Sequence, residues 1–368
     1  MPDSFAFADD LGPEKTVEIT DPGTGLRAVV VVDNTAAGPA IGGTRMAPDA
    51  TAAECFRLAR AMTFKNAAAG IPHGGAKSVI VADPRMDPAA KAELIRAFGR
   101  ALRDLDAYIP GPDMGTNEAA MALIRDECGR ACGLPPELGG IPLDEIGATG
   151  RGLAVAAEAA AEAAGLSLNG ARVAIQGWGA VGRWTARFLA ERGAVIVAAA
   201  DIDGAVHAPG GLDPAALDAL AAAGRSVAEV EAEGAAPLPR EAVIGVDCDI
   251  LVPAARPDAI HEGNVDAVKA RIVLEGANIP TTLAAGRRLH ERGVLAVPDI
   301  VANAGGVIAC AVEWRGGSRG DAEREIEAKL HANTAEILAK ARAEGTSPRD
   351  AAFALAEARV RRAMTFRR

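Results

Sequence analysis

The 368-residue chain carries 49 acidic and 39 basic side chains and a net charge of −10, a balance that repels nucleic acid and anionic membranes and leaves small metabolites as the expected partners. Hydrophobic residues make up 49% and aromatic residues 3%, so a chain of this length calls for two cores packed mainly from aliphatic side chains. Five cysteines, at 55, 128, 132, 248 and 310, are odd in number and scattered, which argues against a disulfide framework or a metal site.

The N-terminal segment MPDSFAFADDLGPEK holds early acids and no long apolar run, so neither a signal peptide nor a membrane span is expected, and a reducing cytoplasm fits. Lys15 to Thr20 (KTVEIT) and Leu26 to Asp33 (LRAVVVVD) flank a DPGTG turn and predict a hairpin. Thr51 to Ala69 reads as a helix closed by Gly70, Lys77 to Val81 as a strand, and Asp87 to Leu105 as a second helix. Ile109 to Gly115 and Gly133 to Pro142, rich in Gly and Pro, read as loops. This mixed α/β region is expected to form a first domain, residues 1–145. From Ala171 a strand (ARVAIQ), a glycine loop, a helix from Val181 to Glu191 and a strand (AVIVAAA) precede the apolar strands DILVP and RIVLEG. That alternation predicts a Rossmann-type, doubly wound parallel sheet over 146–318. Ala154 to Ala164 and Ala215 to Ala223 read as helices within it. Beyond a linker at Gly316 to Gly320, helices from Asp321 to Glu344 and Pro348 to Met364, within 319–368, are expected to return to the first domain.

Gly177, Gly179 and Gly182, interleaved with Trp178, Ala180 and Val181, form a GxGxxG loop directly after a strand and before a helix. The first glycine permits a tight turn, the second a close approach of pyrophosphate, and the third close packing of helix on strand. Asp201 ends the next strand, where an acid can accept from the adenine ribose hydroxyls and favour NAD over NADP. Asp203 adds negative charge against a 2′-phosphate; equally, either acid could simply open the DIDG turn.

Lys65 shares a helix face with Cys55, Leu58, Met62 and Ala69, so it either snorkels at the helix end or contacts an anion. Lys77 follows a glycine-rich turn and opens a strand, as a ligand contact or an edge gatekeeper. Asp113 sits in IPGPDMGT, where a turn aspartate is unremarkable alone. Together the three supply a cation for a substrate carboxylate, a lysine to activate water and a carboxylate to shuttle protons.

Eight segments in order, GPAIGGTRM (38–46), MTFKNAAAG (62–70), GGAKSVIVADP (74–84), GPDMGT (111–116), GATGRG (147–152), the glycine loop, LEGAN (274–278) and PDIVANAGGV (298–307), resemble the glutamate, leucine, phenylalanine and valine dehydrogenases. The resemblance implies a substrate and oligomerisation domain followed by an NAD-binding domain, with the active site in the cleft between them, in a homo-oligomer such as a hexamer or octamer. It makes Lys65 the substrate-carboxylate lysine, Lys77 the catalytic lysine and Asp113 the proton-transfer residue. Thr149 and Asn278 become nicotinamide-side contacts, and Asn303 a contact at the cofactor and substrate cleft, its alternative role being a helix cap. Ile41, Gly42, Gly43, Met62, Val307 and Cys310 are expected to line the substrate.

In glutamate enzymes of that family a lysine usually stands at the position of Ile41, a serine at Cys310 and a glutamine at Met62. An apolar pocket results, in which a glutamate side-chain carboxylate would be buried unpaired. The expectation is therefore NAD-dependent, reversible deamination of an apolar amino acid of leucine, valine or phenylalanine type to its 2-keto acid and ammonia. GPDMGTNE, GATGRGL and AVEW (311–314) are nevertheless closer to the glutamate branch, so a glutamate dehydrogenase with an atypical anchor is the alternative, and a catalytically idle NAD-binding scaffold the alternative of another class.

Overall fold

The computed structural model describes residues 4–367, so the part of the N-terminal reading that rests on residues 1–3 lies outside the described residues. The chain divides into two compact units: Met1–Ile146, Val307–Ala322 and Phe353–Arg368 form unit 1, and Gly147–Gly306 with Glu323–Ala352 form unit 2.

Unit 1 contains β1 (Lys15–Asp21), β2 (Leu26–Asn34), β3 (Ala40–Met46), α1 (Ala52–Ala68), β4 (Gly74–Ile80), α2 (Pro88–Ala101), β5 (Tyr108–Pro112) and α3 (Glu118–Cys128). The expected hairpin forms, with Lys15 opposite Val32 and Asp21 opposite Leu26. The strands order as β1-β2-β4-β3-β5, antiparallel as far as β4 and parallel from β4 through β3 to β5. β2 is a continuous apolar run because both its faces are covered. Val30 and Val32 belong to a core with Leu94, Phe98, Met121 and Ile124 from α2 and α3, and Val31 to one with Cys55, Phe56 and Ala59 from α1.

The Thr51 hydroxyl accepts the Glu54 N–H and starts α1. The roll of that helix is set by Asp33, a buried carboxylate on β2 that accepts from Arg60 Nε at 2.9 Å and Thr63 Oγ1 at 2.6 Å, groups one helical turn apart. The stretch expected as a loop at Ile109 to Gly115 contains β5. Pro110 and Pro112 supply no N–H, which an interior strand could not accommodate, but β5 lies at the sheet edge and pairs on one side with β3.

Unit 2 begins with α4 (Ala148–Ala163), β6 (Arg172–Gln176), α5 (Ala180–Glu191), β7 (Val195–Ala200), β8 (Ala205–His207), α6 (Pro214–Ala222) and β9 (Ala236–Leu238). It continues through β10 (Ile250–Pro253), β11 (Ile272–Leu274), α7 (Leu283–Glu291), β12 (Leu295–Val297) and α8 (Asp299–Ala302). Helices α9 (Gly305–Trp314), α10 (Arg319–Glu344) and α11 (Pro348–Met364) contribute to both units.

The second sheet orders as β12-β11-β10-β6-β7-β8-β9. It is parallel from β12 to β7, the doubly wound pattern, with its switch between β6 and β10. β8 and β9 depart from the all-parallel expectation and run antiparallel. The cause is local: Asp201 Oδ1 accepts from the Asp203 and Gly204 N–H groups at 2.9 Å, and this tight turn is far too short for the crossover a parallel neighbour requires.

Residues 307–318, expected with the dinucleotide-binding domain, cluster with unit 1 together with 319–322, and there Glu313 accepts the N–H groups of Leu134 and Ile141 at 3.1 and 2.7 Å. Residues 323–352, expected to return to the first domain, cluster with unit 2. Among the described residues no helix is long and apolar enough to cross a membrane.

Candidate active site

In unit 1, Lys77 on β4 and Asp113 just past β5 meet across the strand between them: Lys77 Nζ lies 2.8 Å from Asp113 Oδ2. Neighbouring strands stand about 4.8 Å apart, so a side chain on β3 at this level would separate the pair. Gly43 provides the gap. A Cβ there would fall 3.0 Å from Lys77 Nζ and 2.8 Å from the Asp113 Cβ. Gly42 serves the backbone instead, since its Cβ would stand 1.7 Å from the Ala76 carbonyl oxygen.

Arg45, which the sequence reading did not single out, completes the cluster. Its Nε donates to Asp113 Oδ2 at 3.0 Å and its Nη1 to Glu54 on α1. Thr116 holds the Asp113 backbone, accepting its N–H at 3.0 Å while donating to the Thr44 carbonyl at 2.7 Å. Burial raises the Asp113 carboxyl, but the Lys77 ammonium and the Arg45 guanidinium outweigh it and hold the group below its ordinary value. The product is an ionised, two-cation-bound carboxylate beside a buried lysine. A signal for Arg45 did exist: it is two residues beyond Gly43, hence on the same face of a strand, had AIGGTRM been recognised as one.

Lys65 lies partly buried in the last turn of α1. Gly75 allows that helix to lie on β4, because a Cβ there would come within 2.0 Å of the Thr63 nitrogen. Ile41 is 2% exposed, and its carbonyl accepts from Asn66 Nδ2. Met62 and Val307 are partly buried. Cys310 is buried against Cys132, whose N–H donates to the Pro110 carbonyl of β5; Cys310 is thereby tied to the strand that presents Asp113.

In unit 2 the three glycines differ in their surroundings. Gly177 turns with φ +104°. A Cβ on Gly182 would meet the Gly177 carbonyl oxygen at 1.8 Å, whereas around Gly179 nothing lies within 4 Å. Gly179 is also the N-cap of α5 and has no capping side chain, so the helix presents uncapped N–H groups to open space, as an anion-binding helix start does. A cavity of about 580 Å³ opens there, lined by Gly177, Trp178, Gly179, Asp201, Arg240 and Arg256 among others. Trp178 is held by its indole N–H, which donates to Asp218 at 3.0 Å; Ala180 and Val181 begin the helix. Open space at the second glycine, uncapped N–H groups and the switch-point location fit a dinucleotide.

Asp201 lines that cavity, yet its carboxylate is largely engaged. Besides the turn N–H groups, Oδ1 accepts from Ser226 Oγ at 2.9 Å and Oδ2 from the Val227 N–H at 2.7 Å. Burial raises the carboxyl and these donors outweigh it, holding it below its ordinary value. Only Oδ2 retains capacity for a further donor. Arg240 and Arg256 reach the same cavity from positions far along the chain, Arg240 donating to the Ile202 carbonyl at 3.2 Å and to Glu241.

The other residues expected on the cofactor side lie around α8 and in α4. Asn303 is its C-cap, and its Nδ2 donates to the Gly276 and Ala277 carbonyls, each at 3.2 Å, and to Asn278 Oδ1 at 3.1 Å. Among the described residues its own Oδ1 is buried without a partner. Thr149 stands in the first turn of α4, which approaches α9 closely because Gly305 and Gly306 carry no side chain; a Cβ on Gly305 would lie 2.0 Å from the Ala148 carbonyl oxygen.

A glycine loop with an open helix start at the switch of a doubly wound sheet, and a second unit carrying an ion-paired lysine and aspartate, define a two-unit nicotinamide-dependent dehydrogenase. The chain belongs to the Glutamate/Leucine/Phenylalanine/Valine dehydrogenase family: residues 139–368 match that family's model and residues 13–130 match its dimerisation domain. Enzymes of this family act on the CH–NH2 group of amino acids with NAD or NADP. The chain is 38% identical over 357 residues to a glutamate dehydrogenase of Aeropyrum pernix, a match covering 91% of this chain and 85% of that protein. With an NADP(+)-dependent glutamate dehydrogenase of Pyrobaculum calidifontis it shares 39% identity over 360 residues, 92% and 85% of the two chains. Among solved structures it is similar to the hetero-hexameric glutamate dehydrogenase of Thermus thermophilus in a leucine-bound form, with TM-score 0.86, 32% identity and coverage of 97% and 90%. The L-tryptophan dehydrogenase of Nostoc punctiforme is also similar, with TM-score 0.75, 26% identity and coverage of 96% and 98%.

Proposed function

We propose that the protein catalyses the NAD-dependent, reversible oxidative deamination of an apolar L-amino acid to its 2-keto acid and ammonia, with leucine, valine or phenylalanine as the type. The observation that carries the apolar assignment is Ile41, a 2%-exposed side chain at the position where glutamate enzymes resembling this chain place a lysine. A glutamate side-chain carboxylate against it would be desolvated without the lysine that those enzymes supply. Leucine in the Thermus thermophilus structure and tryptophan as the substrate of the Nostoc punctiforme enzyme support apolar ligands for this fold.

In this reading Lys65 holds the substrate carboxylate and fixes the orientation of Cα. Lys77 polarises the water that attacks the imine carbon. Asp113, kept ionised by Lys77 and Arg45, takes and returns the protons at the substrate nitrogen as ammonia leaves. A bound nicotinamide dinucleotide supplies the hydride acceptor. Gly177, Trp178, Gly179, Ala180, Val181 and Gly182 hold its pyrophosphate, while Thr149, Asn278 and Asn303 hold the nicotinamide end. The remaining acceptor on Asp201 Oδ2, with Asp203 two residues on, supports NAD, while Arg240 and Arg256 in the same cavity are cations that a 2′-phosphate would meet, which is why NADP is tested beside it. The match to a dimerisation domain supports a homo-oligomer, a hexamer or octamer in this reading, and the five buried, unbridged cysteines suit a reducing cytoplasm.

The test is reduction of NAD and of NADP across a panel of L-amino acids, with Ile41→Lys assayed beside the wild type. Activity with apolar amino acids, moving toward glutamate in Ile41→Lys, is the expected result. Activity with glutamate alone would favour the second reading, glutamate dehydrogenase, which the names of the Aeropyrum and Pyrobaculum relatives support.

A further inference from the structure

Behind the loop of Asn278 lie two buried carboxylates and one arginine that the reaction as described does not use. Glu275, 1% exposed at the end of β11, accepts on Oε2 from the Asp299 N–H at 2.9 Å and from Arg349 Nη2 at 2.5 Å. Asp299, 5% exposed, has its Oδ1 3.5 Å from the same nitrogen, and its Oδ2 accepts the Ile279 N–H at 2.8 Å. Arg349, at the start of α11, is thus the cation shared by the pair.

Ile279 is where the arrangement acquires a purpose. It is β-branched and holds φ +50°, a left-handed conformation that L-residues of this shape avoid. The backbone stays there because both its polar groups are tied: its N–H to Asp299, and its carbonyl to the N–H of Asp258, itself at φ +53°. Strain of this kind persists only where the surroundings over-determine it. Immediately before it, the Asn303 amide gathers the Gly276 and Ala277 carbonyls and the Asn278 side chain, and keeps a buried Oδ1 without a partner. Such an acceptor, over nine-tenths buried, suits an N–H donor of a ligand.

We propose that Arg349 is a positioning residue for the nicotinamide end of the dinucleotide: by bridging Glu275 and Asp299 it keeps Asp299 on the Ile279 N–H and so holds Asn278 and Asn303 in their binding arrangement. This rests on the reading of Asn278 and Asn303 as nicotinamide-side contacts. Without the guanidinium, two adjacent carboxylates would be buried with no cation; burial already pushes Glu275 up to about 7 with Arg349 opposing it. Asp299 would turn away, and the Ile279 backbone would relax toward an ordinary conformation.

None of Asn278, Ile279, Asn303 and Arg349 lines the cavity at the glycine loop, so the larger loss is expected for the ligand that carries the nicotinamide. Binding of NADH and of ADP-ribose, which lacks the nicotinamide, is measured by titration for wild type, Arg349→Met, Arg349→Lys and Asn278→Ala. Arg349→Met is expected to weaken NADH at least about tenfold and ADP-ribose less than about twofold, with Arg349→Lys intermediate. Equal weakening of both ligands, or of neither, overturns the proposal. If Asn278→Ala leaves NADH binding intact, the underlying reading fails; if Asn278→Ala weakens NADH but Arg349→Met does not, the positioning role alone fails. Should Arg349→Met not fold, Ile279→Gly combined with Arg349→Lys decides the matter. Glycine accepts the left-handed backbone without strain, so NADH affinity should rise above that of Arg349→Lys alone, and no recovery counts against the role.

Discussion

Gly43→Ala tests whether the gap in β3 is what allows Lys77 and Asp113 to act together. The backbone tolerates alanine there, since Gly43 is absent from the positive-φ glycines, so the effect is one of space. The new methyl carbon would stand 2.8 Å from the Asp113 Cβ and 3.0 Å from Lys77 Nζ, where ordinary contacts need about 3.5–4.0 Å. Relief therefore separates the two groups by about 1 Å. At an effective dielectric of about 20, a unit-charge pair at 2.8 Å attracts by about 6 kcal/mol, and about 1 Å more separation removes about 1.5 kcal/mol of this. A proton transfer that depends on the pair should slow about tenfold. Steady-state kcat and KM are measured with the best substrate of the panel, and thermal unfolding alongside. The expected outcome is a kcat reduced about tenfold, KM for the dinucleotide unchanged and the protein still folded. A Gly43→Ala enzyme with the wild-type kcat would refute the reasoning, because the contact distances leave no way to keep the pair as it is.

In unit 2, Gly179→Ala should leave apo stability within about 0.5 kcal/mol but weaken dinucleotide binding, because the space around Gly179 is empty of protein; Gly182→Ala should fail to fold stably, its Cβ being driven into the Gly177 carbonyl. Asp201→Asn should lower stability by about 1–3 kcal/mol, as an amide nitrogen in place of either oxygen leaves the Ser226 or the Val227 donor unpaired, and an unchanged NAD affinity in that variant would limit Asp201 to the turn. For Asp113 the folded carboxyl lies below its ordinary 3.8, so its stabilisation is complete above that value and is lost as pH falls through the lower folded one. The thermal midpoints of wild type and Asp113→Asn should accordingly differ by a constant amount from neutrality down to about pH 5 and converge only in stronger acid; convergence already near neutrality would show that the two cations do not hold the carboxylate.

What could be read from the sequence was what is local. Thr51 and Gly70 bracket α1 by capping chemistry, and the β-branched run from Val29 to Val32 makes β2 plain. β3 and β5, by contrast, are AIGGTRM and YIPGP. Little in either favours a strand, and both exist because a parallel neighbour pairs with them. Arg45 was hidden with β3. Asp201 was found by its distance from the glycine loop, but spacing along the chain says nothing of which donors have already filled a carboxylate's lone pairs. Arg349 and Arg240 reach their sites from 74 and 38 residues away along the chain, to Glu275 and Ile202 respectively, separations that no local pattern records.

The last carbonyls of α1, Ala67 and Ala68, accept from Arg359 at 3.0 and 2.9 Å, and Phe64 packs edge-on with Phe353. Both partners belong to Phe353–Arg368, the final segment assigned to unit 1. During synthesis, then, the helix that carries Lys65 emerges early but gains its Arg359 and Phe353 contacts only once Phe353–Arg368 is made, while Gly147–Gly306 already holds the whole second sheet. Against the usual N-terminal-first order, the second sheet can therefore pair before unit 1 is complete, and unit 2 itself is completed only by Glu323–Ala352.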